Sequence, residues 1–352
     1  MRTLASLLPL VTFGALGCVE LTAEEQVSST EQAINECDTW VCGSNSPVID
    51  SLYFHELNTR GLPNNKGFVV TSLRKGSIDY QLDVEHGKLI GRQGASLISG
   101  PALVGAEIRL HLGAKTFAIR ITQVGWVQTF AKIPGSVSVL ETYQLDTAEI
   151  FAGGAPPTGW RNLCSQPPSR ENPDVLGMNV AHAVLFEGER VDAATKTIST
   201  ALDPAWFNIG CTGHALAKMA VNGQTEVAHQ LFGFNTSILE RQTFLKMVTA
   251  DYCGTGRTFT ISGQPLQWMD WRGYTQYVSS PASLQIEARW NPNGATCINT
   301  PRVIANPSAL AQQVLGNSVA LDILTECGYV PPACNGPVND LDGKLLMSAN
   351  PL

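Results

Sequence analysis

Between residues 48 and 150, apolar and polar side chains alternate. Ile78, Tyr80, Leu82 and Val84 interleave with Ser77, Asp79, Gln81 and Asp83, and Glu85-His86-Gly87-Lys88 then reads as a turn. Ala106, Ile108, Leu110 and Leu112 interleave with Glu107, Arg109 and His111. Gly113-Ala114-Lys115 turns the chain, and Phe117, Ile119 and Ile121 continue on the return. Val137 to Tyr143 predicts a further strand. Alternation with period two buries one face of a strand and leaves the other wet. The pattern therefore predicts an antiparallel β-sandwich or barrel over 48–150.

The pattern changes after residue 150. Residues 151–175 are rich in Gly and Pro and predict a junction, with Trp160 and Cys164 placed to staple it. Ala181 to Ile198 predicts a hairpin around Glu187-Gly188-Glu189-Arg190. Helical spacing follows twice. Cys211–Val221 places Ala215, Leu216, Met219 and Ala220 on one face, with Asn222-Gly223 as the stop. Leu239–Cys253 carries Phe244, Val248 and Tyr252 four apart, and Gly254 ends it. Strand patterns resume over Thr258–Ile261 and Leu266–Asp270, joined as a hairpin. A second hairpin joins Leu284–Trp290 to Ala295–Ile298 through Asn291-Pro292-Asn293-Gly294. Helical stretches close the chain, from Asn306 through Leu315 and over about 318–327. The fold class read from these elements is α+β and β-rich. It has a sandwich- or barrel-like region, then a disulfide-stapled region with two or more helices and β-hairpins.

The chain has 352 residues, of which 44% are hydrophobic and 15% charged, so it can build folded cores rather than remain disordered. Lys plus Arg number 23 against 30 Asp plus Glu, a net charge of −7 that speaks against nucleic acid as a partner. Met1-Arg2 followed by the short apolar run Leu4–Gly17 reads as a signal peptide over 1–17, too short to span a bilayer. It ends Gly14-Ala15-Leu16-Gly17-Cys18, which resembles a bacterial lipobox and makes Cys18 the acylated residue. The alternative is an ordinary signal peptide with an incidental Cys. Acyl chains would hold the protein on a membrane, since each buried CH₂ contributes ~0.8 kcal/mol. Residues 18–47 are polar, acidic and aperiodic, as a solvated tether is. The expected location is the bacterial cell envelope, and Val19 after the Cys favours the outer membrane.

Nine cysteines stand at 18, 37, 42, 164, 211, 253, 297, 327 and 334. With Cys18 acylated, the other eight can form disulfides, which agrees with export. Two local pairings suggest themselves, Cys37 with Cys42 and Cys327 with Cys334; Cys211 could meet Cys253 only if the two helices ran antiparallel, and that pairing is not predicted. No Cys-x-x-Cys occurs, and Cys211-Thr212-Gly213-His214 is a lone close Cys/His pair without the second pair a zinc site needs, so no metal and no cofactor is expected.

The catalytic candidates are Cys211, His214 and Asp251. Cys211, at the start of its predicted helix, has a thiolate favoured by the helix dipole, with His182 or His214 as base. The competing reading puts Cys211 in a disulfide. Asp251 sits in the last turn of a predicted helix, where a carboxylate opposes the dipole by ~0.3–1 kcal/mol. Its role is general acid/base work or cation binding, or else a carboxylate bonded to Arg257, Arg241 or Lys218. Trp268, Trp271, Tyr274 and Trp290 form either a carbohydrate-stacking surface or core. Asp340-Leu341-Asp342-Gly343 hints at a calcium loop without completing one, and Asn235-Thr236-Ser237 fits a glycosylation sequon.

Ala250-Asp251-Tyr252-Cys253 closes a predicted helix. Cys211-Thr212-Gly213-His214 stands upstream, and Trp268–Trp271, Glu287–Trp290 and Asn293–Cys297 stand downstream. Together these resemble the ADYC-domain proteins over about 70–305, most specifically 208–303. The resemblance implies an exported, predominantly myxobacterial protein. It transfers no catalytic residue, since that family carries no assigned activity and other residues often stand where His214 does. The resulting organisation has a signal peptide over 1–17, a lipidated Cys18 with its tether over 18–47 and a β-rich domain over 48–150. A junction over 151–175 follows, then an ADYC domain over 176–305 and a helical, Cys-containing extension over 306–352. The expected function is an envelope binding or scaffold protein whose protein or glycan ligand is left open. The alternative is a Cys- or Asp-dependent hydrolase of envelope polymers.

Overall fold

The computed structural model describes residues 48–49, 54–129, 139–151, 159–164, 182–233, 236–260, 266–270, 285–302, 323, 325–329, 331–335 and 346–350. In chain order its strands begin with β1 (Glu56–Asn58), β2 (Val69–Lys75), β3 (Ile78–Glu85), β4 (Lys88–Gln93) and β5 (Ser96–Ser99). There follow β6 (Glu107–Leu112), β7 (Lys115–Gln128), β8 (Val139–Ile150), β9 (Arg161–Asn162) and β10 (His182–Gly188). Then come β11 (Val191–Asp192), β12 (Thr197–Ile198) and β13 (Asp203–Cys211), and helices α1 (Ala215–Val221), α2 (Glu226–Phe232) and α3 (Ile238–Val248). The last strands are β14 (Gln267–Asp270), β15 (Gln285–Asn291), β16 (Gly294–Ile298) and β17 (Leu346–Asn350).

The fold is α+β and β-rich. The alternation in β3 holds over most of the strand: Tyr80, Leu82 and Val84 are buried while Asp79 and Gln81 face solvent, but Ile78, on the apolar phase, is exposed at the start of the strand. His86 and Gly87 both take positive φ, 55° and 73°, which suits the tight turn between Glu85 and its partner Lys88. All pairings in the large sheet are antiparallel, in the order β1-β13-β10-β8-β7-β6-β2-β3-β4-β5, with β9 against β8. The sheet curls so that β8 and β10 come against the β3–β4 hairpin. The Glu187 carboxylate on β10 accepts from the backbone N–H groups of His86 (2.6 Å) and Gly87 (3.0 Å), and the Tyr143 hydroxyl on β8 accepts from Leu89 N–H (2.8 Å). The enclosed core includes Leu57, Leu73, Leu82, Leu110, Ile121 and Tyr143.

Several expectations change here. The Gly/Pro-rich stretch does not separate two sheets, because β10 and β13, which follow it, pair with β8 and β1, which precede it. Trp160 and Cys164 do staple it: Arg120 of β7 lies 3.9 Å over the Trp160 ring, and Cys164 is bonded to Cys211. The predicted hairpin around 187–190 does not form. β10 instead takes a central place between β8 and β13, since its continuous apolar run is buried on both faces. Ala183 and Leu185 enter the barrel core; Val184 and Phe186 enter a second core under the helices.

That second core joins α1 and α3 to a four-stranded sheet of order β14-β17-β15-β16. Thr258–Ile261 was expected to pair with Leu266–Asp270; among the described residues β14 pairs with β17. The β15–β16 hairpin forms as expected, with Asn291 opposite Gly294. Helix α1 starts at Ala215 rather than Cys211, which ends a strand, and α3 stops at Val248 rather than Cys253. Helix α2 was not anticipated, although Thr225 caps its start and Gly233, at φ 71°, its end. The signal peptide, Cys18, the tether, Cys37, Cys42, the stretch 306–315, Asp340–Gly343, Asn235, Trp271 and Tyr274 lie outside the described residues.

Candidate functional site

Helix α3 positions the Ala250–Cys253 motif. It opens with a reciprocal cap: Ser237 Oγ accepts from Glu240 N–H (3.3 Å), and Glu240 Oε2 accepts from Ser237 N–H (2.6 Å). It is buried almost all round, so its polar side chains must find partners inside. Gln242 acts as an extra rung on β12, accepting from Ile198 N–H and donating to Lys196 O, both at 2.7 Å. Arg241 donates to Glu189, to Glu226 Oε2 (2.7 Å) and to Thr236 O (3.0 Å). Burial pushes the Glu189 carboxyl up to about 7, against the pull of Arg241. The helix ends where the Thr249 hydroxyl donates back to Leu245 O (2.7 Å) and Ala250 turns to φ 51°.

Each letter of the motif is then committed. Ala250 is fully buried in its left-handed conformation. The Asp251 carboxylate is fully buried, and its Oδ2 accepts from Lys246 Nζ (2.6 Å) and Gly256 N–H (2.9 Å). The Lys246 ammonium also donates to Thr195 O (2.8 Å) and Gly254 O (3.3 Å), so it bolts the helix to the β11–β12 loop. Gly256, at φ 93°, brings the motif loop against that same hairpin; a Cβ there would lie 2.0 Å from Ala194 O.

Tyr252 stacks on Trp290 at 5.1 Å and 23° and donates its hydroxyl to Glu287. Burial and the adjacent Glu287 push the phenol well above its ordinary range, so it stays a neutral donor. Glu287 Oε1 also accepts from Arg302 N–H (3.0 Å) and Nε (2.6 Å), and Arg302 Nη1 reaches Met247 O (3.1 Å) in the last turn of α3. Burial works against the Arg302 charge, but the Glu287 carboxylate beside it prevails and raises its pKa. Cys253 is bonded to Cys327.

The other sequence candidates lie elsewhere. Cys211 ends β13 in the barrel core, bonded to Cys164 with Cα atoms 5.2 Å apart. His214 is buried as the N-cap residue of α1 and donates its backbone N–H to Cys211 O (2.9 Å). The base proposed for a Cys211 thiol therefore stands beside a disulfide. His182 has its imidazole pushed down by burial. Cys327 pairs with Cys253 rather than Cys334, and Cys334 pairs with Cys297. Asp251 is bonded to Lys246 rather than to Arg257, Arg241 or Lys218. Trp268 and Trp290 are core residues, each 2% exposed.

Sequence reading missed Lys246, Glu287, Arg302 and Glu189. Glu287 fell on the phase of β15 expected to be wet, yet the bundle covers it completely. Lys218, considered in the sequence only as a partner for Asp251, is buried in α1, and burial, with Arg302 adding, pushes its ammonium down to about 7. Among the described residues no group of three His, Cys, Asp or Glu side chains could hold a metal ion, and no helix is long and apolar enough to cross a membrane.

Residues 100–304 match the family model of the ADYC domain, more than half of the chain. The chain belongs to the ADYC-domain family. The match begins at residue 100, inside the stretch expected to resemble the family, and it takes in β6 to β16 together. No curated protein and no solved structure matches the chain. In this ADYC protein the three disulfides among the described residues mark an oxidising, extracytoplasmic compartment. The four motif residues supply a backbone turn, a buried ion pair, a stacked hydrogen-bonded ring and a covalent staple.

Proposed function

We propose that this ADYC protein is a bacterial envelope lipoprotein, anchored through an acylated Cys18 at the outer membrane, that binds or scaffolds rather than catalyses. One observation carries the reading: Cys211 and Asp251, the nucleophile and the acid that the sequence offered for catalysis, are both taken up by internal bonds. The Cys211 sulfur is in a disulfide, and Asp251 is held by Lys246 and the Gly256 amide. A nucleophile needs a free thiolate and a general base needs reach to a substrate proton. The anchor itself rests on the Gly17-Cys18 pair and on cysteine parity.

The test combines two measurements. Cells labelled with an acyl probe should show label and membrane fractionation for the wild type, and neither for Cys18→Ser. Label retained by Cys18→Ser, or absent from the wild type, overturns the anchor. Purified protein incubated with peptidoglycan sacculi should release no soluble fragments. Release that is lost in Asp251→Asn, with the fold intact, would replace this reading with the hydrolase.

A further inference from the structure

The small sheet under the helices takes its central strand from outside the family region. Strand β17 lies beyond residue 304, yet it sits between β14 and β15, antiparallel to both. Leu346 faces Asp270 on one side and Trp290 on the other; Ser348 faces Trp268 and Ala288. β14 and β15 therefore run parallel to each other, and no ladder joins them once β17 is removed. The slot also recognises side chains. Leu346, Met347 and Ser348 are all buried, Leu346 lies in the core with Phe244 and Trp268, and Trp290 Nε1 donates to Ser348 Oγ (2.8 Å). Backbone ladders on two edges with pockets for particular side chains are the features of strand-addition recognition.

We propose that the slot between β14 and β15 is a strand-acceptor site, and that residues 346–350 of a second copy can occupy it in place of the chain's own. The product is a strand-exchanged dimer. The second copy carries the same Leu346-Met347-Ser348, so every contact in the slot is reproduced in trans. The covalent framework ends before the strand. Cys297–Cys334 ties the chain to β16, where Ile298 N–H donates to Pro332 O (2.9 Å) and Cys334 N–H to Asn299 Oδ1 (2.8 Å). Residues 335–345 then span at most roughly 36–40 Å, more than the ~30 Å width of a small domain. Cis and trans occupancy thus differ in effective concentration rather than in bonding.

Tagged and untagged full-length chains, both oxidised, are incubated together at high concentration in urea below the unfolding midpoint, then returned to buffer. Capture of the tag should retain untagged chain, at the mass of a dimer. Excess synthetic peptide 343–352, added during incubation, should cut retention at least tenfold. The same peptide carrying Leu346→Asp and Met347→Asp should leave it unchanged. Failure to retain untagged chain overturns the proposal. So does retention indifferent to the native peptide, which would place the dimer contact on another surface. Because the competitor acts on native chains, no outcome depends on whether a variant folds.

Discussion

Replacing Asp251 by Ala tests whether the motif's acid holds the fold together. The carboxylate is fully buried and its partner Lys246 is 1% exposed, so the substitution strands an ammonium where water cannot reach it. Two charge-assisted bonds vanish, at 2.6 Å from Lys246 Nζ and 2.9 Å from Gly256 N–H. Lys246 keeps the carbonyl oxygens of Thr195 and Gly254, which soften the loss without supplying a counter-charge. Breaking one side of a buried pair costs about 3–5 kcal/mol. Removing both sides with apolar replacements, Lys246→Met with Asp251→Leu, should cost less than the sum of the single changes, because no uncompensated charge remains. The assay is urea unfolding followed by tryptophan fluorescence, with disulfides intact, for the wild type, both single variants and the double variant. Both Trp268 and Trp290 are buried and will report the transition. A loss below about 1 kcal/mol for Asp251→Ala, or strictly additive effects in the cycle, would refute the structural role assigned to this pair.

Three further outcomes are expected. The Glu189 carboxyl is raised from 4.5 to about 7 in the folded state, so the folded protein binds the proton more tightly than the unfolded chain. Its contribution is present below pH 4.5 and is lost as pH climbs to about 7, by roughly 3 kcal/mol. Urea midpoints across that window should flatten in Glu189→Gln, and an unchanged slope would contradict the assignment. Tyr252→Phe removes the hydroxyl that donates to Glu287 but keeps the stack on Trp290, so a loss of about 1–3 kcal/mol is expected, with the fluorescence spectrum preserved. Cys253→Ser with Cys327→Ser opens a bridge across a separation of 74 residues, for which loop entropy gives about 4 kcal/mol. Thermal unfolding under oxidising conditions reads that loss, and equal stability with and without reductant in the wild type would contradict it.

The hydrogen bonds of the motif also bear on how it reads as a sequence signature. A carboxylate at a helix end suggested chemistry because the dipole opposes it. The helix in fact stops first, at Val248, and Asp251 sits in a loop whose Gly256 N–H and neighbouring Lys246 supply the opposite charge. The four side chains serve one crowded corner as a backbone turn, an ion pair, a stacked ring and a disulfide.

Residue pattern alone determined the local elements. Alternation in β3, β6 and β7, the His86-Gly87 turn, the β15–β16 hairpin and the body of α3 depend on neighbours within a few positions, which periodicity and turn chemistry report directly. Cysteine number and the lack of any Cys-x-x-Cys likewise pointed to disulfides and export. Tertiary structure decided everything that joins distant segments: β10 paired with β8 and β13 rather than with its own continuation, Cys211 bonded to Cys164, Cys253 to Cys327, and β17 set between β14 and β15. The reason is that an apolar run buried on both faces looks the same whichever strands flank it, and a buried Glu287 or Lys246 looks like a surface charge until its covering layer is in place. Partner choice is made by packing and desolvation across the whole bundle, and those act between residues that the linear chain keeps far apart.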